Sequence, residues 1–154
     1  MSRACWIATV FTALVASAVR LPGQSPFIYG IHDFDPRPDG FTSRLEAGGA
    51  RGSITATEAI GHNAADRSGK DYRSLSSRGH TVIARLNNGY FPNGTIPLRD
   101  QWNNFAARAA NFAAASQGCS IWVVGNETNL SGEWPADANG YHRYVTPEDY
   151  ADCF

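Results

Sequence analysis

The sequence carries no excess of either charge and no short metal-binding motif. Its 13 lysine and arginine residues nearly balance 14 aspartate and glutamate residues, which leaves a net charge of −1. Because these charges are spread evenly along the chain, neither a nucleic-acid partner nor a charged tail is indicated. CxxC, HExxH and histidine-rich tracts are also missing, so the sequence predicts no metal site and no cofactor. This composition is typical of a soluble globular protein.

A long hydrophobic run is missing as well, and the longest apolar stretch lies at the start of the chain. It extends from Ala4 to Val19, whereas a spanning helix usually needs roughly 20 residues. Ala16 and Ala18 fit a cleavage site, so residues 1–20 are predicted to form a secretory signal peptide, with a retained anchor as the alternative. Residues 21–26 are then a linker, and residues 27–154 form one domain. We expect a secreted or periplasmic protein with no membrane contact after signal removal.

Cysteine is scarce, and Cys5 lies within the predicted signal peptide. Cys119 and Cys153 therefore remain together in an oxidising compartment, where a disulfide can persist. The sequence predicts either a bridge between these two residues or, within a longer parent chain, a different partner for either thiol.

The mature chain contains four strand-and-helix units. Apolar runs predict strands over Phe27–Ile31, Ser53–Thr57, His80–Leu86 and Ser120–Gly125. Helices are predicted over Phe41–Ala47 with Thr42 or Ser43 as the cap, over Lys70–Ser77, from Trp102 to Ala113, and from an N-cap at Thr146. Strands of this kind are typical of a parallel sheet covered by helices. The predicted fold class is α/β, with about four (β/α) units of TIM-barrel type that make half of a barrel or an incomplete one.

Polar residues follow each predicted strand, at the edge where parallel sheets bind ligands. These strand ends carry His32, Asp33, Glu58, Arg85, Asn87, Asn88, Asn126 and Glu127. Glycosidases use one carboxylic acid to protonate the glycosidic oxygen, and a second carboxylate about 5 Å away as the nucleophile in retaining enzymes. We therefore interpret Glu127 as a candidate proton donor and Asn126 as a candidate partner of a sugar hydroxyl.

Several short segments of the sequence support this interpretation, because they resemble segments of a known enzyme family. Gly125-Asn126-Glu127 after an apolar strand is similar to the Asn-Glu signature of the clan A retaining glycoside hydrolases. Thr57–Gly61, Ala84–Tyr90, Asn93–Pro97 and Glu133–Pro135 resemble a bacterial group of hydrolase-like barrels of this type. The resemblance covers about Phe27 to Phe154. It implies an oligo- or polysaccharide substrate and the role of general acid/base for Glu127.

The same resemblance implies parts that this sequence does not contain. In that family the nucleophile is a glutamate at the end of strand seven, and further side chains come from strands six and eight. The chain reaches strand four, so we expect hydrolysis only if a missing carboxy-terminal half or a second copy of the chain completes the barrel. The alternative is a non-catalytic carbohydrate-binding or remnant domain.

Each of the remaining candidate site residues has a structural and a functional interpretation. Arg85 lies in an apolar strand, so it must meet a carboxylate, of which Glu58 is the natural one, or face the strand-end pocket. Histidines near strand ends are either scaffold or ligand contacts. Exposed aromatic residues are either sugar platforms or loop anchors. The predicted substrate-binding residues are Asn126, His32, Asp33, Glu58, Arg85, Asn87, Tyr90 and Trp134.

Overall fold

The computed structural model describes residues 30–32 and 40–153, in which four parallel strands alternate with four helices. The strands are β1 (Gly30–His32), β2 (Ser53–Ala59), β3 (Thr81–Asn87) and β4 (Ile121–Val124). The helices are α1 (Phe41–Ala47), α2 (Arg73–Ser76), α3 (Trp102–Ala115) and α4 (Pro147–Cys153). Single 3₁₀ turns occupy Arg99–Gln101 and Ser131–Glu133. The predicted signal peptide, the linker, most of the first predicted strand and Asp33 lie outside the described residues.

The sheet has the strand order β1-β2-β3-β4, and all three pairings are parallel. Its register aligns Thr57 with Arg85 and Arg85 with Val123. This arrangement confirms the predicted α/β class and the four strand-and-helix units, because parallel neighbours require a crossover through a helix.

One face of the sheet carries the core of the domain. Ile54 and Ala84 are completely buried there, and they pack with Phe105 and Phe112 of α3 and with Leu75 of α2. The spacing of apolar residues along α3 predicted this helix from the sequence, and the structure confirms it. Helices α2 and α3 therefore pack on the same face of the sheet.

No helix of the described residues packs on the opposite face of the sheet, which is called the open face below. Residues of β2 and β3 alternate between buried and half-buried positions, and Val123 at the centre of β4 is 43% exposed. Side chains of a strand alternate between the two faces, so Thr57, Arg85 and Val123 share the open face. Polar groups at the end of that face are reachable from solvent.

The helix ends agree with the sequence in one case and differ in another. Thr146 caps α4, since its hydroxyl accepts a hydrogen bond from the Asp149 amide at 3.0 Å, while the Asp149 carboxylate accepts one from the Thr146 amide at 3.2 Å. The predicted cap of α1 is wrong. Gly40 occupies that position, and Thr42 is buried inside the helix.

No helix among residues 30–32 and 40–153 is long and apolar enough to cross a membrane.

Both cysteines of the predicted mature chain are free thiols in the structure, so the bridge between them is not formed. The Cys119 thiol lies within hydrogen-bonding distance of the carbonyls of Val82 and Ile121, at 3.4 and 3.3 Å. Cys153 is buried at the end of α4, where it packs in the core. Burial raises the pKa of the Cys119 thiol, and it raises the pKa of Cys153 to about 11. Both sulfurs are thus used as apolar packing groups.

Candidate functional site at the strand ends

Arg85 is the centre of a polar network on the open face of the sheet. Its Nη2 donates a hydrogen bond to the Thr57 hydroxyl at 2.8 Å and contacts His32 Nε2 at the end of β1. Its Nη1 donates to the Asn126 side-chain oxygen just beyond β4. The network therefore joins all four strands. Its members come together because parallel strands end at the same edge of the sheet.

Asn126 is held from both sides of its amide. The oxygen accepts from Arg85, and the nitrogen donates to Glu133 Oε1 at 3.1 Å. Its backbone carbonyl accepts a hydrogen bond from the Thr95 hydroxyl at 3.0 Å. These partners fix the orientation of the side chain, because the guanidinium can only donate and the carboxylate can only accept.

Glu127 stands at a sharp turn that ends β4. Its φ of 33° lies in the left-handed region, which non-glycine residues seldom adopt and which costs of order 1–3 kcal/mol. The preceding Gly125 also has a left-handed φ of 73°, and a Cβ there would come within 2.7 Å of Ile96 Cδ1. The glycine is thus required for the turn. The Glu127 side chain is exposed, and such strain at an exposed carboxylate is typical of a functional position.

A cavity of about 310 Å³ opens at this turn. Arg85, Asn126 and Glu127 line it together with Val123, Thr128 and Tyr150. Its size lies near the lower end of the range for small-molecule sites, and its walls combine apolar surface with a few fixed polar groups. Glu127 is the sole carboxylate among the described residues that line it.

Aromatic side chains gather in the loops beside this cavity. Phe91 stacks on His142 with ring centroids 4.4 Å apart, and Trp134 meets Tyr144 edge to face at 4.9 Å. Trp134 is anchored by its indole N–H, which donates to the Thr128 carbonyl at 2.6 Å, and Thr128 lines the cavity. Phe91 is 47% exposed and Tyr144 57% exposed. The cluster therefore presents ring surface next to the strand-end site.

A second groove, of about 230 Å³, lies between Trp102 and Tyr144. Its carboxylate, Asp149, caps α4 and lies 3.6 Å from Arg99. That carboxylate already has a structural role, so the groove offers weaker acid–base chemistry than the strand-end cavity.

The predicted pair of Glu58 and Arg85 is wrong. Glu58 follows Thr57 in β2, so its side chain points to the helix-covered face, away from Arg85. There it forms an ion pair with Lys70 at 2.5 Å and accepts a hydrogen bond from the Tyr72 hydroxyl at 3.0 Å. Burial raises the pKa of that hydroxyl, and the carboxylate beside it raises it further. Glu58 is therefore a structural residue and does not line the strand-end cavity.

Asn87 is also placed differently from its prediction as a substrate contact. It is completely buried at the end of β3, and neither atom of its side-chain amide has a hydrogen-bond partner among the described residues. The neighbouring Asn88 is scaffold, since it bonds to His62 Nδ1 at 2.8 Å and to the carbonyl of Asn93 at 2.9 Å. A ligand in the cavity cannot reach Asn87 in this conformation.

The structure thus brings His32, Arg85, Asn126 and Glu127 to one edge of the sheet, with Trp134 beside them and Tyr90 exposed in a neighbouring loop. The sequence analysis missed Thr57 as a partner of Arg85, although a two-residue alternation along β2 would have placed both on one face. It also missed His142 and Tyr144, for which the sequence carries no distinguishing signal.

Within the described residues, no group of three or more histidine, cysteine, aspartate or glutamate side chains is arranged to hold a metal ion. The described residues at this edge present one exposed carboxyl group, one guanidinium, one imidazole and one oriented amide. Comparison of the chain with protein-family models, with curated proteins and with solved structures finds no match.

Proposed function

We propose that the strand-end cavity binds a saccharide, and that Glu127 is the general acid/base of a secreted glycoside hydrolase-like protein. The observation that carries the proposal is the position of Glu127, an exposed carboxylate on a left-handed turn at the carboxyl end of a parallel strand, beside an amide held in one orientation. Catalytic residues of parallel (β/α) enzymes project from strand ends in this way.

The arrangement around Glu127 suits a sugar ring. Asn126 presents a fixed amide at the cavity wall, and such an amide can bond a sugar hydroxyl with little loss of side-chain entropy. Trp134 and Phe91 contribute ring surface in the adjoining loops, where the apolar face of a sugar can stack. Tyr90 is exposed in the same loop as Phe91 and is available for the same contact.

In the proposed reaction the Glu127 carboxylic acid transfers its proton to the glycosidic oxygen as the bond from that oxygen to the anomeric carbon breaks. A second carboxylate attacks the anomeric carbon and forms a glycosyl ester. The Glu127 carboxylate then removes a proton from water, and the resulting hydroxide displaces the ester. We assign the second carboxylate to strands that complete the sheet, supplied by further chain or by a second copy of this one.

Hydrolysis of oligosaccharides, whose leaving group must be protonated, tests the proposal, with Glu127→Gln compared against the unaltered protein. Loss of a general acid typically lowers turnover by about 10²–10⁴-fold, so kcat/KM should fall at least about 100-fold. The matched control is Asp71→Asn. Asp71 is an exposed carboxylate paired with Arg73 before α2, and its loss should change turnover less than about twofold.

A second candidate function is carbohydrate binding without hydrolysis. It is favoured by the observation that Glu127 is the sole carboxylate among the described residues of the cavity, whereas retaining hydrolysis needs two. Glu133 lies close by, but its Oε1 accepts from Asn126 and its Oε2 is buried without a partner among the described residues. Calorimetry with oligosaccharides separates the two functions, since heat of binding without released product favours the second.

A further inference from the structure

Arg85 is a cation in the strand-end cavity to which the described part of the chain supplies no carboxylate. Its guanidinium contacts the side chains of Thr57, His32 and Asn126, and none of these carries a negative charge. Its Nε is buried and lacks a hydrogen-bond partner among residues 30–32 and 40–153. Extending the proposed function, on which this inference rests, we propose that Arg85 binds the carboxylate of a uronic acid residue and that the substrates are acidic saccharides.

Among the described residues, the two carboxylates of neighbouring elements, Glu58 and Glu133, are committed to other partners. Glu58 points to the opposite face, where it pairs with Lys70. Glu133 is linked to Arg85 only through the amide of Asn126, which accepts from the guanidinium and donates to the carboxylate. The sequence required Arg85 either to pair with an acid or to face the strand-end pocket. The structure satisfies the second condition, since Arg85 lines the cavity.

A half-buried guanidinium to which the described residues supply no counter-ion can act as a recognition site for an anion. One Nη1 N–H has no partner among the described residues, and the charge-assisted hydrogen bond that it can donate to a carboxylate is stronger than one to a neutral hydroxyl. Thr57 and Asn126 already fix its orientation, so little side-chain entropy is lost when an anion binds.

The same cavity contains both groups that such a substrate requires. Arg85 and Glu127 line a space of about 310 Å³, so a single sugar ring can contact both of them. In this arrangement the carboxylate of the sugar meets the guanidinium, and the glycosidic oxygen meets the proton donor. A neutral sugar would occupy the same space but would leave the cation without a counter-charge.

Calorimetric titration of the full chain with D-glucuronate, D-galacturonate and the neutral sugars D-glucose and D-galactose tests the proposal. A charge-assisted hydrogen bond contributes about 1.5–3 kcal/mol, so at least one uronate should bind at least about tenfold more tightly than its neutral counterpart. The difference should shrink as salt is raised from about 50 to about 200 mM. Acetate is the control for a carboxylate without a sugar ring, and it should bind far more weakly than the uronate.

Arg85→Met and Arg85→Lys identify the residue responsible. The methionine variant should reduce the preference for uronate to less than about twofold, and the lysine variant should retain part of it, because lysine keeps the charge but loses the planar guanidinium. Arg44→Met, which removes an exposed arginine from α1, should leave the preference unchanged.

The outcomes separate this inference from the proposed function. If the unaltered chain binds or cleaves neutral sugars as well as uronates, the inference is wrong and the saccharide function stands. If neither class is bound or cleaved, the proposed function is wrong and the inference with it. Both readings use the unaltered protein, so they hold even where an Arg85 variant fails to fold.

Discussion

Arg108, the one charged residue of α3, should contribute strongly to stability, and Arg108→Met tests this. The side chain is 3% exposed and anchors the loop that follows β2. Its Nε donates to the Ile60 carbonyl at 3.2 Å, its Nη1 to the Ser68 carbonyl at 2.8 Å, and its Nη2 to the Ser68 hydroxyl at 3.0 Å. Asp66 adds an ion pair at 3.2 Å, but this carboxylate is more than a third exposed and so contributes little.

The size of the effect follows from the groups that would lose their donor. Methionine keeps the packing on Phe112, over which the guanidinium lies at 5.2 Å, but it leaves the carbonyls of Ile60 and Ser68 without this donor. Ile60 is buried, so leaving its carbonyl unsatisfied costs about 1–3 kcal/mol, and the lost bonds to the exposed Ser68 add about 1 kcal/mol. We therefore expect Arg108→Met to lower the free energy of unfolding by about 3 kcal/mol, a large part of the usual total of about 5–15 kcal/mol.

Urea unfolding followed by tryptophan fluorescence measures this loss. With a slope of about 2 kcal/mol per molar urea, the midpoint should fall by about 1.5 M. Arg67→Met is the matched control, because Arg67 lies in the same loop but is exposed and makes one side-chain bond, to Asn111 at 2.7 Å. Its loss should cost less than about 1 kcal/mol. Equal midpoints for the two variants would refute the idea that Arg108 anchors the loop.

Three further predictions concern the turn, the amino edge of the sheet and the core. Gly125→Ala should destabilise the protein by about 2 kcal/mol or more in the same urea assay, because alanine is strained at this φ and its Cβ would approach Ile96 within 2.7 Å. The hydrogen bond with His80 lowers the pKa of Glu46 below its ordinary value of 4.5. The ionised Glu46 carboxylate therefore stabilises the fold above that pH, and this stabilisation is lost as the pH falls through the lowered pKa. Glu46→Gln should flatten the loss of stability between about pH 5 and about pH 3. Cys153 should resist Ellman's reagent in the native protein and should react fully in guanidinium chloride without reductant. A disulfide at Cys153 would leave it unreactive in the native and in the unfolded protein.

The sequence was sufficient for the order of elements and for the position of Glu127. Helix α3 could be predicted because its apolar residues recur at helical spacing, and β3 because its apolar run is bounded by polar residues. Glu127 comes directly after an apolar run, so predicting that run as a strand also predicted Glu127 at the carboxyl edge of the sheet. These features are local, and local patterns carry most of the information in a single sequence.

The partners of the polar residues could not be predicted in the same way. Glu58 and Arg85 were paired because they lie on neighbouring strands, but the register sets their side chains on opposite faces. Asn87 follows Leu86 like a strand-end residue, yet the pairing with β2 extends over it and buries it. For Glu58 a shift of one residue along the strand changes the face, whereas Asn87 shares the face of Arg85 and differs from its prediction by being buried.

The most direct test of the central claim compares the unaltered protein with Glu127→Gln on an oligosaccharide that the unaltered protein cleaves. The account predicts that kcat/KM falls by at least about 100-fold, while the midpoint of urea unfolding stays within the range of a surface substitution. Equal turnover by the two proteins would contradict the assignment of Glu127 as the general acid/base.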